Sequence, residues 1–269
     1  MSDSYLVFTD LDGTLLDHDT YSFAPAAEAM RLLAAREIPW VFNTSKTRAE
    51  LAVLREQLGN PHPFIVENGA AVFFPEGCGR NDIALEWVDG MRCKRFAPER
   101  GDILALLARW REVYGFRFRG FADMTAQELS EVCGLHQNEA SLALDRHFSE
   151  PILWQDSDDN WQRFAEGLAN SGLQALKGGR FIHIMGAADK GAAMQWLAAV
   201  LDPEGEALTV ALGDSHNDVA MLQAADIAVV VRSPHHVPPV IKSPSGEVII
   251  TEGYGPSGWN EALRAILSP

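Results

Sequence analysis

Residues 5–14 read Tyr-Leu-Val-Phe-Thr-Asp-Leu-Asp-Gly-Thr, a short apolar run that ends in an acidic, glycine-containing turn. The run from Tyr5 to Thr9 is too short for a helix and is bounded by turn residues, which predicts a buried strand. Asp10 and Asp12 stand at i and i+2 as the chain leaves that strand, so both carboxylates can point into one site. There one can attack phosphorus while the other handles a proton. Gly13 permits the tight turn next to them. A plain acidic turn would use the same residues, so the motif alone does not decide between the two.

Downstream, Pro25 opens a helix with Ala29, Leu32 and Leu33 on its apolar side. A second strand is expected at 39–42. Thr47 then stands as an N-cap with Glu50 three residues on, a capping box. Leu51, Leu54 and Leu58 come next at helical spacing until Gly59. Third and fourth strands are expected at 64–66 and 71–73, separated by Glu67-Asn68-Gly69. The alternation of strands and helices with short loops predicts a parallel sheet covered by helices. The same pattern resumes late, with a helix at 191–201, a strand at 208–212, a helix at 217–224, strands at 227–231 and 248–250, and a final helix at 259–267. Between them the order changes. Helices are expected near 103–113, 125–132, 139–144 and 161–168, and strand-like pieces near 116–119, 152–154, 173–176 and 181–185. This predicts a separate α+β unit inserted into the parallel-sheet domain. Trp110, Trp154 and Trp161 read as core of that insertion rather than as sugar platforms.

Three further motifs join the first. Asn43-Thr44-Ser45-Lys46 follows the second strand, where a hydroxyl can donate to a phosphoryl oxygen, although a helix cap would use the same residue types. Asp189-Lys190-Gly191 stands at a helix start, and an ammonium there can balance carboxylates and contact a phosphate. Gly213-Asp214-Ser215-His216-Asn217-Asp218 follows an apolar strand, with Asp214 and Asp218 at i and i+4 on one helix face. Hard oxygens grouped in this way suit magnesium. His216 reads as a filler of the motif, since Asp12 already supplies a base. Each motif falls at a strand end or a helix start, and in open α/β sheets ligands bind at the carboxyl ends of the strands. Together they point to a phosphoryl-transfer site.

The four motifs and the inserted segment resemble the haloacid dehalogenase-like (HAD) phosphatase superfamily, over nearly the whole chain. Within it the chain is similar to the mannosyl-3-phosphoglycerate phosphatases. That likeness rests on Thr44-Ser45-Lys46-Thr47, Glu67-Asn68-Gly69-Ala70, Ser149-Glu150-Pro151, Gly178-Gly179-Arg180-Phe181 and Gly255-Pro256-Ser257-Gly258-Trp259. The resemblance implies an α/β fold with a Rossmann-like parallel-sheet core, residues 1–84 and 187–269, and an α+β cap, residues 85–186, that sets substrate specificity. It implies Asp10 as the nucleophile that becomes an aspartyl-phosphate, and Asp12 as the acid for the leaving alcohol and then the base for water. It implies magnesium held by Asp10, the Asp12 backbone carbonyl and Asp214, with Asp218 in the same metal cluster and Asn217 supporting it. Thr44 and Lys190 would bind phosphoryl oxygens, with Ser45 and Asn217 also on the substrate. The implied substrate carries a sugar, a carboxylate and a phosphate, so the cap should supply a cation and polar groups. Arg146, Glu150, Arg180 and His183 are the candidates, and surface ion pairs would account for the same residues.

Composition excludes several classes. The formal net charge of -15 disfavours nucleic acid as a partner. No apolar run reaches the roughly 18–20 residues of a membrane span, and Met1-Ser2-Asp3-Ser4 does not open a signal peptide. Cys78, Cys93 and Cys133 are too few and too widely spaced for a disulfide framework or a zinc site, which fits a reducing cytoplasm. Residues 85–183 hold 12 Lys/Arg against 15 Asp/Glu, so the insertion repels an anionic ligand less than the rest of the chain does. Three other readings use the same motifs. One is a capped phosphatase for sucrose-phosphate, hexose phosphate or glucosyl-3-phosphoglycerate. Another is a phosphosugar mutase, which should respond to a bisphosphate activator. The third is a non-catalytic ligand sensor, which would be expected to have lost one of Asp10, Asp12, Lys190 or Asp214. Oligomeric state is not legible in the sequence.

Overall fold

The computed structural model describes residues 4–78, 82–177, 180–242 and 245–268. Gly178 and Gly179, expected to belong to one of the family-like strings, lie outside the described residues. In chain order the elements are β1 (Ser4–Thr9), α1 (Ala27–Ala35), β2 (Trp40–Phe42), α2 (Arg48–Leu58), β3 (Phe64–Val66), β4 (Ala71–Phe74), β5 (Glu86–Val88) and β6 (Met91–Arg95). Then come α3 (Arg100–Tyr114), β7 (Phe118–Gly120), α4 (Ala126–Cys133), α5 (Gln137–Leu144), β8 (Ser149–Trp154), α6 (Asp158–Asn170), β9 (Leu173–Lys177) and β10 (Ile182–Gly186). The chain closes with α7 (Lys190–Leu201), β11 (Ala207–Gly213), α8 (Val219–Ala224), β12 (Ile227–Arg232), β13 (Glu247–Tyr254) and α9 (Gly255–Leu267). No helix among the described residues is long and apolar enough to cross a membrane.

Two compact units emerge, one of residues 1–44, 61–94 and 189–269, the other of residues 45–60 and 95–188. Residues 45–60, 85–94 and 187–188 therefore group differently from the division expected from sequence. In the first unit five parallel strands lie in the order β13-β12-β11-β1-β2. Val7, Phe8, Val210, Ala211, Leu212, Val229 and Val41 are wholly buried, as expected for strands covered on both faces. The register sets Thr9 beside Phe42 and Leu212, so the chain leaves β1, β2 and β11 at one level. β3 joins the chain just past the end of β2 through a bridge between Asn43 and Ile65. It otherwise pairs antiparallel with β4, in a second sheet of order β3-β4-β6-β5. The third strand is thus a corner between two sheets, because the left-handed turn at Glu67–Gly69 folds β4 straight back on it. The β5–β6 hairpin extends that sheet and turns at Asp89-Gly90, both at positive φ.

Helix α9 begins at Gly255, four residues ahead of the expected start, because Pro256 is preorganised for the first helical turn. Its Trp259 is fully buried, and the indole Nε1 donates to Thr9 Oγ1 at 2.9 Å. The Thr9 hydroxyl in turn donates to the Asp10 carbonyl at 2.7 Å. The closing helix is thereby tied to the end of β1. Trp259→Phe removes the donor and part of the ring. It is expected to cost about 1–3 kcal/mol, read as a lower urea midpoint at unchanged slope. An unchanged midpoint would show that this link contributes nothing to stability.

The second unit carries an antiparallel sheet of order β7-β8-β10-β9. Its helix-facing core is aromatic. Trp110, Phe116, Phe118 and Phe164 are buried there, and Trp154 and Trp161 pack against them. Trp154 lies 5.0 Å from Phe164 between ring centroids, and the pair is tilted. The three tryptophans are core, as expected. A smaller cluster around Phe121, Leu129 and Ala140 joins α4 and α5. Helix α2 carries the expected capping box, and Gly59 ends it at φ +60°. The Thr47 hydroxyl also donates to the Leu142 carbonyl of α5 at 2.9 Å, which binds α2 into this unit.

Candidate active site

The site is built at one end of the parallel sheet from the turns after β1, β2 and β11 and from the first residue of α7. Asp10 follows β1 directly and is 5% exposed. The Asp189 side chain accepts from the Ala192 N–H and so starts α7, which points the next residue, Lys190, inward. The Lys190 side chain is completely buried. Its Nζ donates to Asp10 Oδ1 at 2.6 Å and to Asp218 Oδ1 at 2.7 Å. The two carboxylates hold the ammonium charged and raise its pKa against the opposing effect of burial. The Lys190 carbonyl accepts from Asn43 Nδ2 at 2.9 Å, which fixes the helix start against the end of β2.

Asp214 follows β11 and is 3% exposed. Thr14 Oγ1 donates to its Oδ1 at 3.2 Å, and His236 Nε2 lies 2.9 Å from its Oδ2. Gly13, at φ +80°, is required here for space as well as for conformation. A Cβ at that position would lie 2.5 Å from Asp214 Oδ2. Asp218 supports the cluster from behind. Its Oδ1 takes Lys190, and its Oδ2 accepts from the backbone N–H groups of Asp214 at 3.1 Å and Ser215 at 3.0 Å. Asp12, two residues beyond Asp10, is half-buried.

The charges do not balance within the protein. Oxygens of Asp10, Asp214 and Asp218 lie within 4.8 Å of one another, and Lys190 is the ammonium between Asp10 and Asp218. Burial first, then the Asp218 carboxylate, pushes Asp214 up to about 7. Burial and the Asp218 charge likewise raise Asp10 well above the usual carboxylate range, although Lys190 opposes the shift. When all three are ionised, the buried carboxylates exceed the Lys190 ammonium by two charges, which suits one divalent cation with hard oxygen ligands. Asp10 and Asp214 could hold it with the Asp12 backbone carbonyl, while Asp218 is already engaged by Lys190 and two amides. The expected metal role of Asp218 is therefore one of support.

The groups facing Asp214 are Asp218, Asp10, Asp12, Lys190, Thr14 and His236. An acid whose pKa in the fold exceeds its ordinary value stabilises the folded state while protonated, and that contribution is lost as pH rises through about 7. A bound cation requires the ionised form and so competes with the proton. Added magnesium is therefore expected to raise the thermal midpoint of the metal-free protein more at pH 8 than at pH 6. An equal rise at both, or none, would contradict the cation site.

Of the other residues singled out from sequence, Thr44 is fully buried and Asn217 half-buried. Both are tied to Asn68. Asn68 N–H donates to the Thr44 carbonyl at 2.9 Å, and Asn217 Nδ2 donates to Asn68 Oδ1 at 3.1 Å. His216 is exposed. Ser45, Arg146, Glu150, Arg180 and His183 belong to the second unit. Glu150 is not an open polar group there. It is 1% exposed, its Oε2 pairs with Arg100 at 2.7 Å and its Oε1 accepts from the Ala122 N–H at 2.8 Å. The expectation of a substrate contact at Glu150 gives way to a scaffold role, because both oxygens are engaged. Arg146 is buried, with Nη2 donating to the Ser45 carbonyl at 2.6 Å. His183 is half-buried on β10, and Arg180 is exposed. Sequence reasoning misses Thr14, Asn68 and His236 as members of the site. Thr14 ends the first motif and is within reach of it. His236 lies 22 residues beyond Asp214 on a loop with no local pattern to mark it.

The chain matches the family described as haloacid dehalogenase-like hydrolase over residues 7–237. It is 39% identical to a glucosyl-3-phosphoglycerate/mannosyl-3-phosphoglycerate phosphatase of Methanococcoides burtonii, over 98% of this chain and 97% of that one. It is 37% identical to a phosphatase of the same name from Persephonella marina, with the same coverage. Among solved structures, a protein of Thermoplasma acidophilum superposes with a TM-score of 0.68 at 17% identity, over 99% of this chain and all of that one. The sucrose-phosphatase of Synechocystis, solved with sucrose and phosphate, superposes at 0.59 with 16% identity, over 98% of each chain. These structural likenesses concern the fold, an α/β core with additional antiparallel sheets. Family and relatives agree, and the chain belongs to the haloacid dehalogenase-like hydrolases, among the phosphatases of that family.

Proposed function

We propose that this protein is a magnesium-dependent phosphatase that hydrolyses mannosyl-3-phosphoglycerate to mannosylglycerate and phosphate in the cytoplasm. The observation that carries the chemistry is the buried triangle of Asp10, Lys190 and Asp218 beside Asp214. Asp10 attacks phosphorus and becomes the aspartyl-phosphate. Asp12 gives a proton to the departing alcohol oxygen and then takes one from the water that hydrolyses the intermediate. Lys190 holds Asp10 through Oδ1, which aims the carboxylate and offsets its repulsion of a phosphate dianion. Thr44 and Asn217 orient phosphoryl oxygens. Magnesium, where bound by Asp10, Asp214 and the Asp12 carbonyl, neutralises charge on the transferring group.

The substrate is supported by the double name of the two relatives, and that same name supports glucosyl-3-phosphoglycerate as a second substrate. The test is phosphate release with magnesium from both hexosyl-phosphoglycerates, sucrose-phosphate, hexose phosphates and an aryl phosphate. A large preference for mannosyl-3-phosphoglycerate is expected. Activity confined to hexose phosphates or to the aryl ester would discard the substrate and keep the phosphatase. Dependence on a bisphosphate activator would favour a mutase.

In the second unit Arg180 remains the exposed cation for the glycerate carboxylate. Arg180→Ala is expected to raise KM for the hexosyl-phosphoglycerate by about 10- to 100-fold, with the aryl phosphate little changed. Equal losses on both substrates would remove Arg180 from carboxylate recognition.

A further inference from the structure

We infer that Asn68 is a positioning residue for the phosphoryl site, an inference that rests on the phosphatase reading. Residues Glu67, Asn68 and Gly69 all have positive φ, at +48°, +60° and +90°. Glu67 and Asn68 are 1% and 2% exposed. A run of left-handed residues that includes a buried glutamate is an unfavourable backbone, and such backbones persist where the surroundings over-determine them. Asparagine tolerates this region better than most residues, because its short polar side chain can bond nearby groups.

The surroundings are the site itself. The Asn68 N–H holds the carbonyl of Thr44, and its Oδ1 accepts from Asn217 Nδ2. Thr44 N–H is held in turn by the Ile65 carbonyl at 3.2 Å. Gly69 packs against the start of α7 so closely that a Cβ would lie 2.1 Å from the Asp189 carbonyl and 2.8 Å from the Lys190 nitrogen. One turn therefore touches the second, third and fourth motifs. Asn68 has no titratable group and touches neither Asp10 nor Asp214 in the described contacts. Its contribution is to keep the Thr44 loop and Asn217 in register with Lys190, so that groups placed on a phosphoryl oxygen stay aligned as the transition state forms.

Glycine adopts φ near +60° more readily than asparagine does, so Asn68→Gly keeps the turn and the backbone donor while deleting the Oδ1 acceptor. Asn68→Asp keeps turn and acceptor. The experiment measures kcat and KM on an aryl phosphate and on mannosyl-3-phosphoglycerate for wild type, N68G, N68D, N217A and N68G/N217A, alongside thermal midpoints. N68G is expected to lower kcat by about 10- to 100-fold on both substrates, with KM and the midpoint nearly unchanged. N68D should recover most of that loss, and N217A should add little in the N68G background. Wild-type kcat in N68G, a loss confined to KM, or fully multiplicative effects of N68G and N217A would overturn the inference. A wild-type protein that releases phosphate from none of the esters would instead overturn the phosphatase reading.

Discussion

Asp10→Asn is expected to lower phosphate release by about four orders of magnitude or more on every ester, because an amide cannot form the acyl phosphate and nucleophile removal has effects of that scale. The fold should survive. Asn fills the same space in a position that is 5% exposed, and the Thr9 hydroxyl meets residue 10 at its backbone carbonyl, which the substitution keeps. The charge balance points the same way. Burial and the Asp218 and Asp214 carboxylates disfavour ionised Asp10, and Lys190 retains Asp218 at 2.7 Å when that charge is removed. The metal-free variant should therefore unfold at the wild-type temperature or above it. Activity within tenfold of wild type would exclude Asp10 as nucleophile. Loss of activity with loss of fold would mean that its structural role had been underestimated.

Lys190→Met should damage both stability and chemistry. The side chain is wholly buried, and its Nζ pairs with both Asp10 and Asp218. Removing one member of a buried ion cluster leaves the others without compensation and typically costs about 3–5 kcal/mol. Either Asp10 or Asp218 must then take up a proton. A protonated Asp10 is no nucleophile, so turnover should fall by about 10³-fold or more, with a lower thermal midpoint. Because magnesium and the ammonium offset the same carboxylates, added magnesium should restore more stability to Lys190→Met than to wild type. A K190M variant with wild-type stability would show that Lys190 is not the counter-charge its position implies.

The parts of this fold that are legible in sequence are those whose determinants are local. β1 and β11 can be read because wholly buried strands are continuous apolar runs, and α2 because its capping box and left-handed Gly59 mark both ends. The carboxylates of the site are legible because each leaves a strand or opens a helix in a recognisable string. The features that escape the sequence come mostly from contacts distant along the chain. The start of α9 is expected too late because Gly255, Pro256 and Gly258 look like helix breakers, whereas Pro256 opens the helix. The β5–β6 hairpin escapes notice, despite its Asp89-Gly90 turn signal, because Glu86, Arg92, Lys94 and Arg95 obscure any alternation. Glu150 reads as a polar group for substrate until Arg100, fifty residues earlier in the chain, is found bound to it. His236 and Asn68 join the site only through the arrangement of the strands.

Trapping the intermediate shows whether Asp10 carries the phosphoryl group. Asp12→Ala with an aryl phosphate should form the aspartyl-phosphate, because this leaving group needs no proton, and should hydrolyse it slowly, because the base for water is gone. Quenching during turnover, reduction with borohydride and mass analysis of the peptides should find homoserine at residue 10. Wild-type turnover of the same ester together with an Asp12→Ala protein that shows unmodified Asp10, or a modified side chain elsewhere, would exclude Asp10 as the carrier of the phosphoryl group.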